Sequence, residues 1–198
     1  EALRGPQLPV LGLALALESQ SAFREDLKLL IMSATLDTAR VSAVFDAPVV
    51  ESQGRMFPVE TRYLGRSEDR IEDRMAAAIR RALREEGGSV LAFLPGAGEI
   101  RRTAERLEGL GPDAIVAPLF GALSPAEQDA AVQPAPEGKR KIVLATDIAE
   151  SALTIEGVRI VIDSGLSRVA EDNIGGLGSR LSTVRASRAS VDQRRGRA

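Results

Sequence analysis

Four short segments of this 198-residue chain carry hydroxyls, carboxylates or guanidinium groups at spacings that suit phosphate chemistry. The densest is Ser187 to Ala198, Ser-Arg-Ala-Ser-Val-Asp-Gln-Arg-Arg-Gly-Arg-Ala. Guanidinium forks match phosphate oxygens two at a time, and an arginine arriving from a neighbouring domain stabilises charge during phosphoryl transfer. Ser190 and Gln193 have capping-box spacing, which would aim a helix start, Gln193 and the arginines at one point. A solvated basic tail is the plainer alternative. Residues Ala145 to Gly157 alternate hydroxyls and carboxylates over a stretch too polar for core and too apolar for a free loop. They read either as a site loop or as a helix start at Thr146 to Glu150 with a stop at Gly157. Pro95-Gly96-Ala97-Gly98 could let backbone N–H groups approach a phosphate at a helix N-terminus. It lacks the Gly-Lys-Ser/Thr of a P-loop and the third Gly of a dinucleotide fingerprint, so a plain strand-to-helix turn stays open. Ser33-Ala34-Thr35 offers two hydroxyls, for an acidic or phosphate neighbour or for capping a helix.

Composition narrows the chemistry. There is no Cys and no His, which removes disulfide frameworks, thiolate or imidazole zinc sites and His-dependent triads. Hydrophobic residues at 44% and charged residues at 27% match a soluble globular domain, and aromatics at 3% make its core aliphatic. A net charge of −2 argues against coating nucleic acid by bulk electrostatics. The charge is uneven, however. Arg180, Arg185, Arg188, Arg194, Arg195 and Arg197 face a single acid, Asp192, over the last stretch, so a polyanion should be held there. The apolar run Leu8 to Leu17 is too short to span a membrane and lacks the flanks of a signal peptide, which makes the cytoplasm the expected location.

Elements must position these loops. Apolar, β-branched runs at Leu27–Met32, Ser89–Leu94, Lys141–Ala145 and Val158–Ile162 predict buried parallel strands, with a further strand at Ala114–Ala117. Ile71–Glu86 predicts an amphipathic helix closed by Gly87-Gly88. Shorter helices are expected at Gly98–Leu107 and at Pro125–Val132, the latter with Ser124 as N-cap and Pro125 at the first position. Residues 172–182 predict a turn or hairpin tip. Strands alternating with helices imply a doubly wound α/β sheet with ligands at the carboxyl ends of its strands. Gly54, Pro58 and Gly65 mark a boundary near residues 52–68.

Taken in order, the Ser-Ala-Thr triplet, the Phe-Leu-Pro-Gly-x-Gly-Glu-Ile turn, the Ala-Thr-x-Ile-Ala-Glu-x-x-Leu-Thr-Ile loop and the Ser-x-Ala-Ser-x-x-Gln-Arg-x-Gly-Arg-Ala ending resemble motifs III to VI of the superfamily-2 DEAH-box RNA helicases. The set is far more specific than any one member, and it covers nearly the whole chain. Pro95 to Arg102, and Val49-Val50-Glu51-Ser52 followed by Phe57-Pro58-Val59, look most like the bacterial HrpB branch of that family. The resemblance implies a RecA-like parallel sheet flanked by helices, with residues 1–55 ending a first RecA-like domain and 56–198 forming most of a second, cut inside motif VI.

The same resemblance implies roles. Gln193 would orient the attacking water, and Arg197 would be an arginine finger on the γ-phosphate. Thr154, Glu156 and Arg194 would face the nucleotide, and Ser33 and Thr35 would couple its state to domain closure. Thr146, Gly96, Gly121 and Ser124 would contact the RNA backbone. By its spacing from Leu11 to Leu17, Glu1 would fall in the DEAH box as the metal-linked catalytic acid. ATP and Mg²⁺ are the implied cofactors and RNA the implied partner, with affinity for the strand alternating as ATP closes the interdomain cleft and hydrolysis reopens it. Departures accompany these roles. Ser151-Ala152 stands where the family has Thr-Ser, and Asp147 where Asn or Ser is common. Glu171 to Gly176 replaces a basic and aromatic segment. No phosphate loop is present, so these 198 residues alone are expected to bind RNA weakly and not to turn over ATP. A degenerate helicase-like binding module without ATPase activity is the alternative, and an unrelated small-molecule enzyme using the Gly96–Gly98 turn and Asp163 is a third.

Overall fold

The computed structural model describes residues 7–31, 48–50, 57–65, 67–150, 154–172 and 179–198. The chain divides into two compact units, Glu1–Gly54 and Arg55–Ala198. In the first, Gln7–Ala22 is a helix, α1. Its Leu13, Ala16, Leu17 and Gln20 are half-buried while Leu15 faces out, although apolar residues lie on all sides of the helix. Leu27–Ile31, expected to begin a strand, form none. A parallel strand is held by ladder bonds to its neighbours, and among the described residues of this unit there is no strand to pair with. Ser33, Thr35 and Glu1 lie outside the described residues.

The second unit opens with α2 (Ile71–Glu85), which turns Met75, Ala76 and Ile79 inward. It is followed by β1 (Ser89–Phe93), α3 (Ala97–Arg106), β2 (Ala114–Leu119), α4 (Pro125–Val132), β3 (Arg140–Ala145), a 3₁₀ turn at Asp147–Ala149, β4 (Val158–Asp163), β5 (Leu166–Asp172), β6 (Ser179–Arg185) and α5 (Arg188–Arg195). The expected strands at Ser89, Ala114, Lys141 and Val158 and the expected helices at Ile71, Gly98 and Pro125 are therefore present, with ends moved by a residue or two. Strands β2-β3-β1-β4 form one parallel sheet in that order, with Leu91 opposite Val143 and Ala92 opposite Ile162. β5 and β6 pair as an antiparallel hairpin, Leu166 opposite Arg185.

Every residue of β1 is buried, because helices cover both faces of the sheet. Val90, Ala92, Leu94, Ile142 and Leu144 meet Ile79, Ile100 and Leu107 from α2 and α3 on one face. Leu91, Phe93, Val143 and Ala145 meet Leu119, Ala131 and Ala149 on the other.

Two cations open β3 and hold the ends of the helices on either side. Arg140 donates from Nη1 to the Leu83 carbonyl in the last turn of α2 at 2.7 Å and from Nε to Gly88 at 2.7 Å. Lys141, its neighbour on the opposite face, donates from Nζ to Ala130 at 2.9 Å and to Gln133, at the end of α4. Helix C-termini leave carbonyls unpaired and carry negative partial charge, so a cation there satisfies both needs. Burial pushes the Lys141 amine below its ordinary pKa. Gly88 has φ near 90°, and a Cβ there would come within 2.9 Å of the Arg159 side chain; only glycine suits both conditions.

Among the described residues no helix is long and apolar enough to cross a membrane.

Candidate functional site

The carboxyl ends of β1, β2 and β3 form one edge of the sheet. Thr146 N–H donates to the Leu119 carbonyl at 3.2 Å, which brings the loops after β2 and β3 together. At that edge the Thr146 hydroxyl caps nothing and makes no hydrogen bond with any described residue, so it is available to a ligand. Gly121 has open space where a Cβ would stand, leaving its backbone approachable. Gly96 differs: a Cβ there would overlap the guanidinium of Arg168, which pairs with Glu99 at 3.3 Å. This glycine makes room for Arg168.

Glu99 also meets Arg102 at 3.1 Å, and Arg102 reaches the buried Glu72. Burial, the largest single influence, pushes the Glu72 carboxyl up, but the Arg102 hydrogen bond, a backbone hydrogen bond and the charges of Arg102 and Arg106 together hold it below the usual carboxylate range.

Ser124 is given to the helix cap. Its Oγ accepts from Glu127 N–H at 3.4 Å, while its own N–H and hydroxyl donate to the Glu127 carboxylate at 2.8 and 2.6 Å. The reciprocal capping box uses both donors of Ser124, and the Glu127 carboxyl is lowered by the same bonds. Ser124 thus fixes the end of the loop that carries Gly121 rather than offering a free hydroxyl.

From Thr146 the chain crosses back over β1, burying Ala149 and packing Ile148 and Ile155 against the same face as Phe93. It reaches the opposite edge at Gly157, whose carbonyl accepts from Ser89 N–H at 2.9 Å. Thr154 and Glu156 are exposed near that amino edge, where Glu156 lines an open cleft of about 360 Å³ together with residues Pro134 to Arg140. The crossover therefore carries Thr146 at one edge of the sheet and Glu156 at the other. Ser151 and Ala152 lie outside the described residues.

Helix α5 packs against this crossover. Its N-cap is Ser187, whose Oγ accepts from Ser190 N–H at 3.1 Å, and not Ser190 as the spacing to Gln193 suggested. Ser190 sits inside the helix and turns its hydroxyl to the Glu150 carboxylate. Beyond the helix the turn continues, with Arg197 N–H bonded to the Arg194 carbonyl at 3.1 Å. Gln193 lies in the last turn of the helix, four residues before Arg197. Gln193 is half-buried. Arg197 donates from Nε to the main-chain carbonyl of Glu150 at 2.9 Å and again from Nη2.

Arg194 does not join them. It is 1% exposed, and its guanidinium donates to Glu150 Oε1 at 2.6 Å, Asp163 Oδ1 at 2.9 Å, the Leu166 carbonyl at 3.1 Å and Ser167 Oγ at 2.7 Å. The ring of Phe93 lies beneath it at 5.0 Å. An arginine can be buried only when its charge and donors are satisfied; here the guanidinium spends its donors inside the domain. Asp163 is committed with it through Oδ1, which also accepts from Gly165 N–H at 2.8 Å, while its Oδ2 is buried without a hydrogen-bond partner; the carboxylate considered for small-molecule chemistry serves the buried arginine. The helical spacing of Ser190, Arg194 and Arg197 was the sequence signal for this inward face. Glu150, which receives all three, had no local mark.

Among the described residues no cluster of three His, Cys, Asp or Glu side chains could hold a metal ion.

Comparison with known proteins agrees with this arrangement. The helicase conserved C-terminal domain family matches residues 73–198. The ATP-dependent RNA helicase HrpB of Escherichia coli (strain K12) is 54% identical over 192 residues, which are 95% of this chain and 24% of HrpB. The ATP-dependent RNA helicase HrpA of the same organism is 38% identical over 182 residues, 88% of this chain and 14% of HrpA. The crystal structure of Escherichia coli DEAH/RHA helicase HrpB superposes with a TM-score of 0.86 at 52% identity, over 94% of this chain and 24% of that one. The chain thus spans about a quarter of the length of HrpB. With its parallel sheet flanked by helices and its match over residues 73–198, the chain belongs to the helicase conserved C-terminal domain family.

Proposed function

We propose that the chain is the end of a first RecA-like domain, to about residue 55, and most of a second, from residue 56, in a cytoplasmic ATP-dependent RNA helicase. The observation that carries this reading is the crossover after β3. At one end it presents the uncommitted Thr146 hydroxyl; along its length it holds Arg197 by a backbone carbonyl. One segment thereby serves an RNA edge and a nucleotide face. Both similar proteins are named as ATP-dependent RNA helicases.

RNA phosphates meet Thr146 and the open backbone at Gly121, the loop being braced by Ser124. Gly96 contributes by admitting Arg168 to the same edge. The acid at Asp147, exposed beside Thr146, weakens that contact by charge repulsion. On the nucleotide face, Arg197 supplies guanidinium donors to the terminal phosphate and Gln193, one turn earlier, places water. Thr154 and Glu156 offer a hydroxyl and a carboxylate suited to ribose hydroxyls. ATP, bound with Mg²⁺, supplies the phosphoryl group and the energy of the cycle. Ser33 and Thr35 as coupling residues and Glu1 as metal-linked acid complete the proposal.

The RNA side is tested by measuring single-stranded RNA affinity of the full-length protein against salt concentration. Thr146→Val removes the hydroxyl and keeps the shape. It should weaken binding about ten- to hundredfold, the worth of a hydrogen bond to a charged group, and equally for unrelated sequences, since a phosphate contact carries no base information. Unchanged affinity would remove Thr146 from the interface.

A further inference from the structure

Glu150 joins the two halves of this site, and none of the roles above assigns it one. Its carboxylate accepts from Arg194 Nε at 2.6 Å and from the Ser190 hydroxyl, and its main-chain carbonyl accepts from Arg197 Nε at 2.9 Å. Three residues of α5 and its following turn are thus read out by one residue of the crossover. Arg194 then fastens Glu150 to the β4–β5 turn through Asp163, Leu166 and Ser167 and to β1 through the Phe93 ring.

A buried guanidinium held by two carboxylates, a main-chain carbonyl and a hydroxyl has few alternative geometries, because a large displacement leaves a desolvated charge unpaired. The position of the Glu150 carbonyl is therefore fixed relative to α5. Thr146 lies four residues upstream, separated from Glu150 only by the 3₁₀ turn Asp147–Ala149, whose Ala149 is fully buried. One short, packed segment therefore joins Thr146 to Glu150.

We propose that Glu150, locked by Arg194, is a positioning residue for Arg197 and the link by which RNA bound at Thr146 sets the place of the arginine that meets the nucleotide. The inference rests on the proposed roles of Thr146 and Arg197. Two carboxylates, Glu150 and Asp163, share the Arg194 guanidinium, so Glu150→Gln leaves a neutral Arg194–Asp163 pair and keeps an acceptor oxygen for Arg194. The fold should survive it.

The test compares full-length wild-type, Glu150→Gln and Arg197→Ala proteins for ATP hydrolysis with and without saturating single-stranded RNA, together with KM for ATP, RNA affinity and melting temperature. For Glu150→Gln the stimulation of kcat by RNA should fall by at least about fivefold, the lower end of typical site-to-site coupling. KM for ATP, RNA affinity and melting temperature should stay close to wild type. A purely structural role would move the melting temperature and leave the stimulation factor alone. Unchanged stimulation in Glu150→Gln, with hydrolysis lost in Arg197→Ala, overturns the link and leaves the function proposed above standing. Unchanged hydrolysis in Arg197→Ala defeats that function itself. Should Glu150→Gln melt below the assay temperature, Ser190→Ala decides, since it removes one hydrogen bond from the same carboxylate and no charge: reduced stimulation supports the link, wild-type stimulation overturns it.

Discussion

Replacing Arg197 with alanine in the full-length protein should lower kcat for ATP hydrolysis by about 10³-fold or more, the usual worth of an arginine that neutralises charge on a transferring phosphoryl group. The reason lies in when the contact is made. Arg197 donates to the Glu150 main-chain carbonyl, a neutral acceptor. A phosphate is a stronger partner, offering charge-assisted bonds to the same donors. Because charge on the phosphoryl oxygens is redistributed in the transition state, the loss should fall on kcat and much less on KM for ATP. Arg197→Lys should recover little of it. An ammonium lacks the planar fork that engages two oxygens together. Steady-state kinetics at saturating RNA provide the check, and a variant within a few fold of wild type would mean that Arg197 does not face the nucleotide.

The second large effect concerns stability. Arg194→Met should destabilise the second unit by about 3–5 kcal/mol, because it strands Glu150 and Asp163 near each other with no guanidinium between them. Both carboxylates are themselves largely buried, at 14% and 18% side-chain exposure. The neighbouring arginine gives the contrast. Arg195 pairs with Asp192 at 3.6 Å with both side chains more than half exposed, so Arg195→Met should cost less than about 1 kcal/mol. Denaturant unfolding of the two variants measures the difference. Equal stabilities would contradict the buried network, and selective loss in Arg194→Met would support it.

These adjacent arginines also show where reading the sequence stops. The strands were legible because aliphatic, β-branched runs such as Val90–Leu94 and Ile142–Ala145 have few other uses in a chain of alternating elements. α2 was legible because Met75, Ile79 and Leu83 recur at helical spacing, and α4 because Ser124 stands as N-cap before Pro125. Leu27–Ile31 has the same apolar signature and forms no strand. A strand is a pairing between segments, and a run of apolar residues records its own burial tendency but not its neighbours.

The candidate site followed the same division. Positions set by local structure were legible, such as Thr146 directly after its strand. Arg194 was grouped with the nucleotide residues because its motif contains it. Its destination depends on Glu150, Asp163 and Ser167, which lie 44, 31 and 27 residues away along the chain. Gly96 and Ser124 shifted for a related reason. The group that occupies each position, Arg168 over the glycine and the Glu127 carboxylate on the serine, comes into view only when side chains are placed. Lys141 reads as the start of a strand, and Arg140 just before it carries no sign of its role. Their work as cations on two helix ends depends on α2 and α4 finishing at that edge of the sheet.

The central claim is that this chain supplies the RNA edge and the nucleotide-facing arginine of one ATP-driven enzyme. Its most direct test is the rate of ATP hydrolysis by the purified full-length protein, measured with and without single-stranded RNA. Hydrolysis that rises on adding RNA is the predicted result; hydrolysis absent, or indifferent to saturating RNA while RNA is demonstrably bound, would contradict the account.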